Sequence, residues 1–284
     1  MATTMTTTAV DITTETPVVC AQFRPEFGDT AGNVRRMADM VAAARFTAPG
    51  VIVFPELATS GYEFRGRNEA ANLALELDGA ELLPLRAAAA RSNAVVIAGY
   101  PERAGGRLFN SAALFLPGGD AVNYRKLHLF DREKQRFDPG DAPPPVVETE
   151  AGRIGVMICF DWVFPEAARH LARGGAQLIC HPSNLVLQYC QRAMFARSVE
   201  NRVFTATCNR IGLEARDGRE LRFTGASQIL SPKGETLAQA SSDREELIAD
   251  TLDLAQADDK LITPLNHVLD DLRSDMLPPQ TRNP

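Results

Sequence analysis

Gly155-Val156-Met157-Ile158-Cys159-Phe160-Asp161-Trp162-Val163-Phe164-Pro165-Glu166 changes character partway along. Residues 154–158 are apolar and β-branched, short enough for a buried strand. A turn follows. Pro165 suits the first turn of a helix, where its missing N–H has no partner to lose, and the helix should run over 165–173. Gly174 and Gly175 stop it. Cys159 therefore stands where a strand ends and a turn leads into a helix. Open α/β sheets gather their chemistry at the carboxyl ends of strands, and a nearby helix N-terminus favours a thiolate. The bland alternative is a buried, inert cysteine, the usual state of a free thiol.

Working outward, the elements repeat. Upstream come a strand at 18–23, a helix from about Thr30, a short strand at 51–54 and helical patterning over 68–77 and 80–91. A strand at 95–100 precedes a hairpin of 111–116 and 121–126 around Pro117-Gly118-Gly119-Asp120. Residues 131–145, with three consecutive prolines, form a loop. Downstream come a strand at 177–181, a helix at 191–201, a strand at 204–209 and a hairpin of 226–230 and 236–240. One more helix is expected at 253–261. Two halves, each of βαβ units closing with a hairpin, imply a single pseudo-symmetric α/β layer structure. The expected organisation is a disordered Thr-rich leader (1–16), one domain (17–262) and a polar tail (263–284).

The 284 residues are 45% hydrophobic and 23% charged, the composition of a globular chain with a large core. Net charge is −6 and no Lys/Arg block occurs, which leaves no electrostatic footprint for nucleic acid or an anionic membrane. The five cysteines lack CxxC spacing, so the expected home is a reducing cytoplasm. The N-terminus has neither the basic region nor the apolar core of a signal peptide, and no run is long enough to span a bilayer. Cys180 and His181 are adjacent on a strand and point to opposite faces, a poor chelate; no metal and no cofactor is expected. GxGxxG, GxxxxGK[ST] and GxSxG are all missing.

Two charged residues share the strand-end position of Cys159. Glu56 follows Pro55 at the end of an apolar run, and burial there would raise its pKa toward the range of a proton shuttle. Lys126 ends the second strand of the first hairpin; an ammonium is a compact donor of three hydrogen bonds, suited to an oxyanion. Taken singly, a solvated carboxylate and a surface lysine are the commoner states. Taken together, three strand ends converge on one pocket if the strands are parallel neighbours. A base, a cation and a thiol are the parts for acyl transfer through a thioester.

The segments around these residues resemble the nitrilase superfamily of carbon–nitrogen hydrolases, amidase-like branch. The matching stretches are Phe54-Pro55-Glu56-Leu57 with Ser60-Gly61-Tyr62, then Tyr124-Arg125-Lys126-Leu127-His128-Leu129-Phe130, then 155–166. His181-Pro182-Ser183-Asn184, Arg197-Ser198-Val199-Glu200-Asn201 and Phe223-Thr224-Gly225-Ala226-Ser227 are also similar. The resemblance covers about 18–260. It implies an αββα four-layer sandwich that pairs through helices into a homodimer or higher oligomer. By position it implies Glu56 as general base, Lys126 as oxyanion stabiliser and Cys159 as nucleophile, with the Phe160 N–H completing the oxyanion hole. A second glutamate often follows the lysine motif, and Glu133 matches it; a solvated loop carboxylate is the alternative.

Trp162 either walls the pocket or anchors the turn with its ring. Tyr62, Phe130 and Asn184 are further pocket candidates. Members acting on N-carbamoyl amino acids tend to carry an arginine near position 162, and none stands there. The expected activity is hydrolysis of a small amide to carboxylate and ammonia through a cysteine thioester. The alternative is a nitrilase acting on small nitriles or dinitriles, which more often carries Trp-Glu after the cysteine where this chain has Phe160-Asp161-Trp162. A second alternative is a scaffold that kept the fold and lost the chemistry.

Overall fold

The computed structural model describes residues 15–276. Its first half runs β1 (Glu15–Gln22), α1 (Thr30–Ala44), β2 (Gly50–Val53), α2 (Arg67–Leu73), α3 (Leu83–Ser92), β3 (Ala94–Ala104), β4 (Arg107–Phe115) and β5 (Ala121–Arg125). A one-turn helix, α4 (Glu133–Arg136), and an edge strand, β6 (Val146–Thr149), lead into the second half. That half runs β7 (Gly152–Val156), α5 (Pro165–Arg173), β8 (Leu178–Pro182), α6 (Cys190–Asn201), β9 (Phe204–Cys208), β10 (Leu213–Arg216) and β11 (Arg219–Arg222). It closes with β12 (Gln228–Leu230), β13 (Thr236–Gln239) and β14 (Glu246–Asp253).

The pseudo-symmetry is complete at the level of strand order. One sheet runs β14-β1-β2-β3-β4-β5 and the other β6-β7-β8-β9-β12-β13. In each, the second to fourth strands are parallel and the rest antiparallel to their neighbours. The β10–β11 hairpin is an insertion with no counterpart in the first half.

Period-two burial builds the layers. Along β1, Val18 and Cys20 point inward and meet Ile154, Val156, Cys180 and Cys208 of the other sheet in the central core. Their neighbours Val19 and Ala21 point outward, onto Val34, Met37 and Val41 of α1, with Leu85 and Ala89 of α3 in the same cluster. On the far side, α5 lies close because β7 carries Gly155; a Cβ there would stand 3.1 Å from the Leu171 side chain. The result is an αββα sandwich.

Several expectations change at the edges. Glu15 and Thr16, assigned to the leader by the sequence, belong to β1 and pair with β14; residues 1–14 lie outside the described residues. The helix expected at 253–261 is instead the end of β14 and a single 3-10 turn, Leu254–Ala257, because pairing with the edge of β1 outweighs local helical propensity. Residues beyond 276 in the expected tail are likewise outside the description. α2 stops at Leu73, since Leu75 bridges to Glu102 of β3. β3 and β4 are longer than expected and meet at Gly105-Gly106, whose φ values of 56° and 76° suit a tight hairpin turn. β6, β10, β11 and β14 were not anticipated, and the loop at 131–145 contains α4.

Candidate active site

Each of the three strand ends reaches the site by a different route, and the strands are not parallel neighbours, the condition set for convergence. β2 and β5 belong to one sheet with β3 and β4 between them, while β7 lies in the other. Their ends meet because the sheets face one another and because β3 runs parallel to β2 while the two antiparallel pairings β3–β4 and β4–β5 cancel, leaving β5 running the same way as β2.

Glu56 follows β2 where the chain crosses over β3. Gly99 of β3 makes that crossing fit: a Cβ there would stand 2.6 Å from Glu56 Cα and 2.5 Å from Leu57 N. The Asn184 side-chain amide donates to the Glu56 carbonyl at 2.8 Å. Lys126 directly follows β5, its N–H bonded to the Asn110 carbonyl at 2.8 Å. Glu133 opens α4 rather than lying in a solvated loop; it is 2% exposed.

The side chains form a buried charged cluster. Lys126 Nζ donates to Glu56 Oε1 at 2.6 Å and lies 2.9 and 2.8 Å from the two oxygens of Glu133. Asn110 Nδ2 donates to Glu56 Oε1 at 2.7 Å and to Glu133 Oε2 at 3.4 Å. The hydroxyl of Tyr62, a pocket candidate, donates to Glu133 Oε1 at 2.6 Å. Glu56 Oε2 is buried and has no hydrogen-bond partner among the described residues.

Burial pushes Glu56 from 4.5 up to about 7; the Lys126 ammonium pulls it down, while Glu133 adds to the rise. Burial alone would depress Lys126, but Glu133 and Glu56 outweigh it and hold the ammonium above its usual range. Burial raises the Cys159 thiol well above its ordinary value, and the negative charge of Glu56 raises it further; Lys126 works against both. A resting thiol next to a carboxylate poised near neutrality is an arrangement for proton transfer.

Cys159 opens a 3-10 turn, Cys159–Val163, with φ at 40°, a left-handed conformation uncommon for a residue with a side chain. Two buried side chains hold it there. The Asp161 carboxylate accepts from Ile158 N at 2.8 Å, His128 N at 3.2 Å and Tyr124 OH at 2.8 Å. His181 Nε2 lies 2.8 Å from the Cys159 carbonyl; burial lowers this imidazole to about 4, so it is neutral and donates through Nε2–H. Strand alternation did place Cys180 and His181 on opposite faces: Cys180 enters the central core and His181 supports the turn.

Phe130, Phe160, Trp162 and Asn184 surround the Cys159 mouth together with Leu185, Val186 and Leu187, in a pocket of about 20 Å³. No charged side chain among the described residues lines it. Trp162 does both things considered for it: it walls the pocket, and its ring, 8% exposed, is buried in the central core. Asn110, Asp161 and His181 were missed as site residues. A signal for Asn110 was present, since Asn110-Ser111 is a polar pair inside the otherwise apolar run 108–115. Among the described residues, no group of three or more His, Cys, Asp or Glu side chains could hold a metal ion.

Comparison with known proteins agrees with this architecture. The carbon-nitrogen hydrolase family model matches residues 18–259. A nitrilase from Pyrococcus abyssi is 39% identical over 259 residues, covering 91% of this chain and 97% of its own length. An (R)-stereoselective amidase from a Pseudomonas species is 35% identical over 232 residues, covering 81% and 82%. The solved carbon-nitrogen hydrolase from Helicobacter pylori G27 superposes with a TM-score of 0.79 at 26% identity, over 86% of this chain and 91% of that one. With matching sheets, matching motifs and a family model spanning nearly its whole length, the chain belongs to the carbon–nitrogen hydrolases of the nitrilase superfamily.

Proposed function

We propose that the protein hydrolyses the C–N bond of a small, uncharged amide to a carboxylate and ammonia through a thioester on Cys159. The observation that carries this reading is the buried Lys126 ammonium clamped between Glu56 and Glu133, near enough that all three charges act on the Cys159 thiol. Glu56 takes the Cys159 proton on its unpartnered Oε2 as the sulfur attacks the amide carbon. Lys126 and the Phe160 N–H stabilise the oxyanion. Glu56 then gives its proton to the departing nitrogen, and the C–N bond breaks. Water, deprotonated by Glu56, attacks the thioester; the carboxylate leaves and the thiol regains its proton. Glu133 holds Lys126 charged and aimed.

The pocket supports a short, apolar acyl group. The lining around Cys159 is mostly apolar, with Asn184 its one polar side chain among the described residues, and offers no charged partner to the carboxylate and ammonium of an ω-amidated amino acid. A second reading, nitrile hydrolysis through a thioimidate on the same trio, is supported by the 39% identity to a nitrilase. Ammonia release from a panel of aliphatic amides, ω-amidated amino acids and dinitriles tests both. The expected substrates are short neutral amides. Turnover of nitriles alone selects the second reading, and no turnover of any member, with a folded protein, removes both. Five free cysteines support action in a reducing compartment such as the cytoplasm. The exposed aromatic side chains of Tyr189 and of Phe195 on α6 support a homodimer.

A further inference from the structure

The inserted hairpin grips the chain beside the site by its backbone. Glu214 and Arg216 stand two apart on β10 and share a face. The Glu214 carboxylate accepts from the backbone N–H of Tyr62 at 3.2 Å and of Glu63 at 2.7 Å. Arg216 Nε donates to the Glu63 carbonyl at 3.1 Å. Glu214 is itself ion-paired to Arg210, a fully buried side chain whose guanidinium lies 4.1 Å from the centroid of the Phe223 ring.

The two gripped residues hold the two ends of α4. Tyr62 reaches Glu133, its first residue, and the buried Glu63 carboxylate accepts from Arg136, its last, at 2.7 Å. A helix of four residues has too few internal hydrogen bonds to stay in place unaided. The position of Glu133 on Lys126 therefore depends on where the backbone at 62–63 sits, and Glu214 fixes that backbone.

We propose that Glu214 is a positioning residue for Glu133, acting through the Tyr62 hydroxyl. The effect has a definite sign. Without the Tyr62 hydrogen bond, Glu133 draws more heavily on the Lys126 ammonium, and less positive potential reaches the Cys159 sulfur. The thiolate then forms at higher pH. This rests on the proposed use of Cys159 as nucleophile, yet it concerns the cluster and not the substrate.

The test is the pH profile of Cys159 alkylation by iodoacetamide, with thermal unfolding measured alongside. Cys159 is 6% exposed and the other four cysteines 0%, so the reagent reports this site. Glu214→Gln and Tyr62→Phe should each move the profile to higher pH and slow alkylation at pH 7 roughly tenfold, the scale of one hydrogen bond to a charged group. The double variant should be no slower than either alone, because both changes remove the same link. A Glu214→Gln protein that melts earlier but keeps the wild-type profile overturns the proposal. So does an unshifted Tyr62→Phe profile, or a double variant in which the two effects multiply. Alkylation needs no hydrolysable substrate, so a wild-type protein that turns over no amide, yet shows these shifts, refutes the amide reading and leaves this one standing.

Discussion

Lys126 Nζ lies 2.6 Å from Glu56 Oε1, and neither side chain has any exposed surface. Two carboxylates share this one ammonium. Removing it leaves both facing each other in a dry site, so Lys126→Met should cost about 3–5 kcal/mol of stability, the usual loss on breaking a buried ion pair. It should also lower kcat by about 10²-fold or more, the loss expected for one oxyanion donor. Denaturant unfolding and steady-state kinetics on the same preparation measure the two effects. Retained activity would remove Lys126 from the mechanism.

The carboxylate of Glu56 sets a pH window. Its pKa is 4.5 in an unstructured chain and about 7 in the fold, so the folded protein holds this proton more tightly. The stability contributed by this group is full below pH 4.5 and is lost as pH rises through about 7. Activity runs the other way, because the base must be ionised: kcat/KM should fall about tenfold per pH unit on the acid side. Asn110 donates to the charged form, so Asn110→Leu should move the acid limb to higher pH. A limb near the ordinary carboxylate range would show that Glu56 is not the titrating base.

Gly99 tests the placement of Glu56 through the backbone. A methyl group at 99 would meet Pro55 O at 2.6 Å as well as the Glu56 and Leu57 backbone. Gly99→Ala should therefore shift the 55–57 segment, with a kcat loss out of proportion to any change in KM. Wild-type kinetics in this variant would mean that the crossing tolerates movement.

How legible was this in the sequence? The central strands and long helices announced themselves, because a run such as Val51-Ile52-Val53 buried on both faces has no other home. The α5 bounds at Pro165 and Arg173 were marked by proline and glycine. Glu56, Lys126 and Cys159 stood out as strand-end residues, but their meeting across two facing sheets was a tertiary fact. Edge elements such as β6 and β14 stayed hidden because half-exposed strands carry mixed polarity, and pairing decides them. Tyr62 and Glu214 lie 152 residues apart, and no local pattern links them.

The helices α5 and α6 lead to a prediction about assembly. Met194 is buried, while Phe195 beside it is 51% exposed. Residues after β14 cover part of this face, with Arg169 of α5 bonded to the Val268 carbonyl at 3.1 Å. The aromatic surface left over should pair with a second copy. Sedimentation at micromolar concentration should give twice the 30.9 kDa chain mass. A fully active monomer would remove the dimer.

The proposed reaction passes through a covalent acyl–Cys159 intermediate. Protein quenched in acid during turnover of acetamide, then digested and mapped by mass spectrometry, tests it directly. One acetyl group is expected on the peptide containing Cys159, absent in Cys159→Ala, which should also be inactive while keeping the wild-type fold. An acetyl group on another residue, or near-normal hydrolysis by Cys159→Ala, would contradict it.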